Sequence, residues 1–192
     1  MDLRPTLKPE QVRALEYVRR KGTEASWAEI RRRLVETLES LDQALDAVSE
    51  VEARRKPSPD RWCVQEIVDH LTVSNRPALA QLRSLQAGES VESAIPASLQ
   101  SDAPMERSWA EALEDLRAVH EELVTLADTL SNDVSQEARA PVVMVVRCET
   151  EGGQTEPVEW IETFDWKAYV LLLRVHVLEH IGQIQRTLGT DE

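Results

Sequence analysis

The sequence predicts an all-α protein whose body is a four-helix bundle. Four long stretches place apolar residues three and four apart, the spacing that lines one face of an α-helix, and their starts carry helix-capping residues. β-prone residues gather in one stretch only, 140–164. Helical runs cover most of the 192 residues, so a single domain over 1–192 with its bundle core at 26–188 is expected.

A short amphipathic piece from Pro9 to Arg20 leads in, with Gly22 as its end. The first bundle helix opens at the capping box Ser26-Trp27-Ala28-Glu29 and is expected to run to about Val51, carrying Ile30, Leu34, Leu38, Leu41, Leu45 and Val48. A charged, proline-bearing connection (54–61) precedes the second helix, from Val64 to about Leu85, with Val64, Ile67, Leu71, Leu79, Leu82 and Leu85 on one face. Pro77 inside it releases the Val73 carbonyl and predicts a kink. After a second connection (87–107), the capping box Ser108-Trp109-Ala110-Glu111 opens a third helix with Leu113, Leu116, Val119, Leu123 and Leu126, ending near Leu130. Val142 to Val146, the turn residues Glu151-Gly152-Gly153, and Val158, Trp160 and Ile161 predict a small β-hairpin, whose second strand Pro157 confines to an edge. The fourth helix runs from Trp166 to Leu188, with Asp165 as N-cap and Gly189 as stop.

Composition excludes several classes. Thirty-five acidic against 22 basic residues give a net charge of −13, which repels a phosphate backbone and an anionic membrane surface. Nucleic-acid and membrane binding are therefore not expected. Cys63 and Cys148 are too few for a disulfide framework and fit a reducing, cytoplasmic setting. Neither a signal peptide nor a membrane span is expected, because no apolar run reaches the required length.

Chemistry concentrates in the fourth helix. His176-Val177-Leu178-Glu179-His180 sets two imidazoles one turn apart, close enough to converge on one cation. Both occupy positions of the inward repeat Trp166, Tyr169, Leu173, His176, His180 and Ile184, where leucine ordinarily sits, so their burial calls for hydrogen-bond partners or a metal. His70, at the edge of the apolar face of the second helix, supplies a third imidazole, and three histidines with a fourth position open are typical of catalytic zinc. His120 has no partner at helical spacing and is read as a surface or packing residue. An inverted-zincin peptidase is not expected, because few residues follow His180 to supply the further ligand. A di-iron bundle is excluded because no histidine follows a glutamate by three. No G-x-S-x-G occurs, and Cys63 has no base visible in the sequence.

Trp62, Glu66, His70 and Leu71 on the second helix, with His176, His180, Ile181 and Gln183 on the last, make the chain resemble the DinB-like (DinB/YfiT) superfamily of metalloenzymes. The resemblance covers Ser26 to Leu188 and implies an up-down-down-up bundle, frequent homodimerisation, and a divalent metal held by His70, His176 and His180. Members of known activity include transferases and isomerases that depend on a low-molecular-weight thiol. Cys63 departs from the Ser or Thr usual as N-cap after the tryptophan, and the stretch before the last helix is longer than in the family, which would reshape the mouth of the site.

The resemblance implies a metal there that activates either a thiol or a water toward a small-molecule substrate, by transfer or hydrolysis. Glu179 and Glu66 are the nearest acid-base candidates, Glu66 also as the group orienting the His70 ring. Zinc or nickel are the leading metals, and iron and copper suit imidazole too. The rival reading is a non-catalytic dimeric binding or regulatory bundle, with a structural metal or none, whose Trp27, Trp109, Trp160 and Trp166 line an interface.

Overall fold

The computed structural model describes residues 7–150 and 152–189. Helix α1 spans Pro9–Glu24, α2 Trp27–Asp46, α3 Glu50–Arg54, α4 Val64–Gln86, α5 Trp109–Thr129 and α6 Trp166–Leu188; strands β1 (Ala140–Glu149) and β2 (Thr155–Phe164) form one antiparallel hairpin before α6. Three of the four main helices, α2, α5 and α6, start where the N-cap side chain accepts a free N–H of the first turn. Ser26 accepts from the Glu29 N–H, Ser108 from Glu111 and Asp165 from Ala168. Gly189 ends α6 at φ 74°, a left-handed conformation that glycine adopts without strain.

Three boundaries differ from expectation. The first bundle helix stops at Asp46, because Ser49 and Glu52 form a capping box of their own that opens α3, and Val51 is 80% exposed rather than part of the apolar face. Helix α1 continues through Gly22 to Glu24; a Cβ at Gly22 would sit 3.5 Å from the Ala168 Cβ, so this glycine marks a close approach of α1 to α6. The hairpin is longer than a small insertion, with ten residues in each strand, and Pro157 pairs opposite Arg147 in a two-stranded sheet where both strands are edges. Helix α4 runs through Pro77 unbroken.

End contacts relate the four long helices. Trp27 and Trp166 pack edge to face at 4.9 Å, joining the starts of α2 and α6. Gln86 at the end of α4 meets Thr129 at the end of α5. The Tyr169 hydroxyl, early in α6, donates to Gln81 late in α4 at 2.7 Å, and Arg117 of α5 reaches Asp46 at the end of α2. The main core, with Leu34, Leu41, Leu45, Ile67, Leu71, Leu82, Leu85, Leu116, Leu123 and Ile184, lies along these four helices. A second cluster, including Leu15, Val18, Met144, Phe164 and Leu171, seats the hairpin on α1 and the first half of α6.

The tryptophans belong to this interior. Trp27, Trp109 and Trp166 are buried, Trp109 Nε1 donates to the Val48 carbonyl at 2.9 Å, and Trp160 is partly buried against the second cluster. They hold elements together instead of facing outward as an interface. Among the described residues, no helix is long and apolar enough to cross a membrane.

Candidate metal centre

The packing of α4 against α6 brings His70, His176 and His180 into one cluster, their candidate ligand atoms all within 4.8 Å of one another. His176 Nε2 lies 3.0 Å from the Nε2 of His70 and 3.0 Å from that of His180. The rings meet at steep angles, with centroids 4.6–5.1 Å apart. Helical geometry explains the pair on α6, because a four-residue step returns the chain to the same face. Val177 and Ile184, buried among the core side chains, set the rotation of α6 that leaves both histidines half-buried beside the seam.

The far nitrogens decide what the near ones present. His70 Nδ1 lies 2.6 Å from the Leu99 carbonyl, an acceptor only, so this nitrogen donates and carries the proton. His180 Nδ1 likewise faces Gln183 Oε1 at 2.9 Å. Two Nε2 atoms therefore turn lone pairs on the Nε2 of His176, which has at most one proton to share between them. Three imidazole nitrogens about 3.3 Å apart are what a tetrahedral ion with bonds of about 2.0–2.1 Å requires. The donor set fits a divalent cation at the centre and is poorly satisfied by hydrogen bonds alone.

Electrostatics keeps the set neutral. Burial lowers the pKa of all three rings. His176 is held well below the usual imidazole value by burial and then by its neighbours His180 and His70, while His180 is lowered to about 4 by burial and by His70, against the opposing bond to Gln183. For His70 the bond to Leu99 partly opposes the effect of burial. Neutral imidazole is the form that ligates, so the fold presents the three rings ready for a metal.

The two glutamates take other places. Glu66 is buried, but its carboxylate accepts from the Cys63 N–H at 2.8 Å and pairs with Lys56 at 2.9 Å, completing the start of α4 where Cys63 is the N-cap. Burial raises its pKa, and the Cys63 and Lys56 contacts outweigh that and lower it. The orienting contact to the His70 ring comes from Leu99. Glu179 is exposed on α6. His120 is the buried alternative of its two readings, 4% exposed, with its Nε2 3.2 Å from Asn75 Nδ2 on α4.

Two contacts at the cluster had different visibility in the sequence. Gln183 lies three residues after His180, a helical spacing that places it at the ring. The Leu99 carbonyl is a backbone group in an irregular stretch and carries no side-chain signal. The same connection, 87–108, lies over the His70 end of α4, whereas the hairpin packs on α1 and the early part of α6. The reshaping expected from the hairpin thus falls elsewhere, and the segment beside the histidines is the α4–α5 connection.

The fold and the site together make this a helical bundle with three clustered imidazoles and a hairpin before the last helix. The chain belongs to the DinB superfamily, whose family model matches residues 33–184. A similar solved structure is YfiT from Bacillus subtilis, described as a probable metal-dependent hydrolase with an unusual four-helix bundle topology; it shares 14% identity at a TM-score of 0.55, over 100% of this chain and 95% of that one. A search of curated proteins finds no match.

Proposed function

We propose that the protein is a metal-dependent enzyme that binds a divalent ion, zinc or nickel, through the Nε2 atoms of His70, His176 and His180 and acts on a small molecule. The carrying observation is the donor set itself, three imidazole nitrogens within 4.8 Å of one another, His176 Nε2 at 3.0 Å from each of the other two, with two far nitrogens committed as donors. When bound, such an ion acts as a Lewis acid that lowers the pKa of a water or thiol in its fourth position. The chain's part is to keep the rings neutral, fix their tautomers through Leu99 and Gln183, and surround them with the apolar seam of α4 and α6. The name given to YfiT favours hydrolysis.

A second reading, transfer of a low-molecular-weight thiol, is favoured by a specific observation. Glu66 is committed to Cys63 and Lys56 and Glu179 is exposed, so neither is placed as a general base beside the histidines. A thiol is acidic enough for a metal to deprotonate without one. We further infer the up-down-down-up helix order, which the end contacts of α2, α4, α5 and α6 support, and a homodimeric, cytoplasmic protein, for which the family resemblance and the cysteine usage are the support.

Elemental analysis of untagged protein tests the proposal. About one divalent ion per chain is expected in the parent, and none in His70→Ala or His176→Ala. Turnover of activated esters or amides without added thiol then supports hydrolysis, and turnover only with added thiol supports transfer. A parent that stays metal-free after incubation with zinc and nickel overturns the enzyme reading in favour of a helical interaction protein.

A further inference from the structure

The connection between α4 and α5 must travel back along α4, because the two helices end side by side at Gln86 and Thr129. It is fastened to α4 along the way. Gln81 Nε2 donates to the Ser93 carbonyl at 2.7 Å, Gln100 Nε2 to the Glu66 carbonyl at 3.1 Å, and Gln65 Nε2 to the carbonyls of Pro104 and Arg107 at 3.0 and 2.9 Å. The tightest fastening is at Asp69, the residue before His70. Its two carboxylate oxygens accept from Ser101, Oδ2 from the backbone N–H at 2.9 Å and Oδ1 from the hydroxyl at 2.6 Å.

Two residues before Ser101 is Leu99, whose carbonyl lies on His70 Nδ1. Its own N–H donates to the Pro96 carbonyl at 3.3 Å, so the Leu99 peptide is held by a turn on one side and by the Asp69–Ser101 clamp on the other. A carbonyl in an irregular segment has no helix or sheet to fix its direction. Here the fixation comes from a carboxylate on the helix that carries the ligand, so loop and ring move together.

We propose that Asp69 and Ser101 are positioning residues for the metal centre: by clamping the 99–101 segment to α4 they hold the Leu99 carbonyl on His70 Nδ1 and keep the Nε2 lone pair of His70 directed at the cluster. This rests on the three-histidine metal reading. Groups that orient a ligating histidine typically contribute about 10- to 100-fold in metal affinity. A clamp that merely ties down a loop would change stability and leave the ring unaffected.

The test uses zinc titration against a competing chromophoric chelator and imidazole 15N shifts of the zinc-free protein. Asp69→Ala is expected to weaken zinc binding roughly 10- to 100-fold and to turn the single Nδ1–H tautomer of His70 into a mixture. Ser101→Ala is expected to show a smaller loss in the same direction, and Ser101→Thr, which keeps the hydroxyl, to retain parent affinity. Gln65→Ala, which removes the fastening at Pro104 and Arg107, should lower the thermal midpoint without changing zinc affinity. Parent-like affinity and tautomer in Asp69→Ala would overturn the proposal. If Asp69→Ala does not fold, Ser101→Ala against Ser101→Thr decides. If the parent itself binds no zinc, the metal reading fails, and the His70 tautomer in the zinc-free proteins still decides whether the clamp positions the ring.

Discussion

His120 is 4% exposed between α5 and α4, and it is the buried histidine outside the cluster. Asn75 Nδ2 donates to its Nε2, so the proton sits on Nδ1, which has no hydrogen-bond partner among the described residues. Protonation would place a charge in the core with nothing to balance it, and burial lowers its pKa to about 4. Above pH 6.5 the ring is neutral whether the chain is folded or not, and pH has no leverage. Below that, the unfolded chain binds a proton that the folded chain refuses, so stability falls with falling pH, by a maximum of order 3 kcal/mol once pH 4 is reached. His120→Gln keeps an acceptor for Asn75 and removes the titration. Urea unfolding at pH 6.5 and 4.5 should show the variant losing about 2 kcal/mol less than the parent, and equal losses would show that His120 does not control this window. Residue spacing could not tell a surface from a packed His120, because burial there is set by α4, which lies far away in sequence.

Helix identity was legible along most of the chain because capping boxes and apolar periodicity agreed; α5 and α6 fall within a residue or so of their expected bounds. Boundaries failed where a local signal had two meanings. Ser49-Glu50-Val51-Glu52 is itself a capping box, yet Val48 and Val51 also extend the apolar repeat of α2, and the cap prevailed because it satisfies free N–H groups that the repeat cannot. Gly22 resembled a helix stop, but α1 passes through it to Glu24, because a glycine stop takes a left-handed conformation and Gly22 does not. Its φ is not in the left-handed region, and an added Cβ would meet Ala168 at an ordinary 3.5 Å contact. Gly22→Ala is therefore expected to stabilise the protein by about 0.5–1 kcal/mol, the helix-propensity difference. A lower denaturation midpoint in the variant would mean that α1 and α6 need to be closer than a methyl group allows. Least legible was the 87–108 connection, whose contacts to α4 run largely through backbone carbonyls and so leave little trace in residue type.

Three half-buried or buried imidazoles with lowered pKa values and a fourth at His120 make this bundle acid-sensitive as a whole. His180, also lowered to about 4, adds a loss of the same order as His120 as pH falls from 6.5 toward 4, and His176 and His70 act in the same direction. The losses at His120 and His180 together already reach the lower end of the stability of an ordinary domain, about 5–15 kcal/mol. The zinc-free protein is thus expected to unfold near pH 4, and the cause is proton uptake by the unfolded chain. A bound metal counters this through linkage, since it binds the folded, neutral rings and so adds about 4 kcal/mol when free metal exceeds its dissociation constant about a thousandfold. Because the folded rings are already neutral above their lowered pKa values, zinc displaces few protons, and its affinity should change little between pH 8 and 6.5, unlike a site of solvent-exposed histidines. Far-ultraviolet circular dichroism followed through an acid titration should therefore give a midpoint that moves to lower pH with added zinc in the parent and stays fixed in His176→Ala. A parent transition unmoved by zinc would separate the acid sensitivity of the bundle from its metal centre and leave the histidine cluster without a cation to hold.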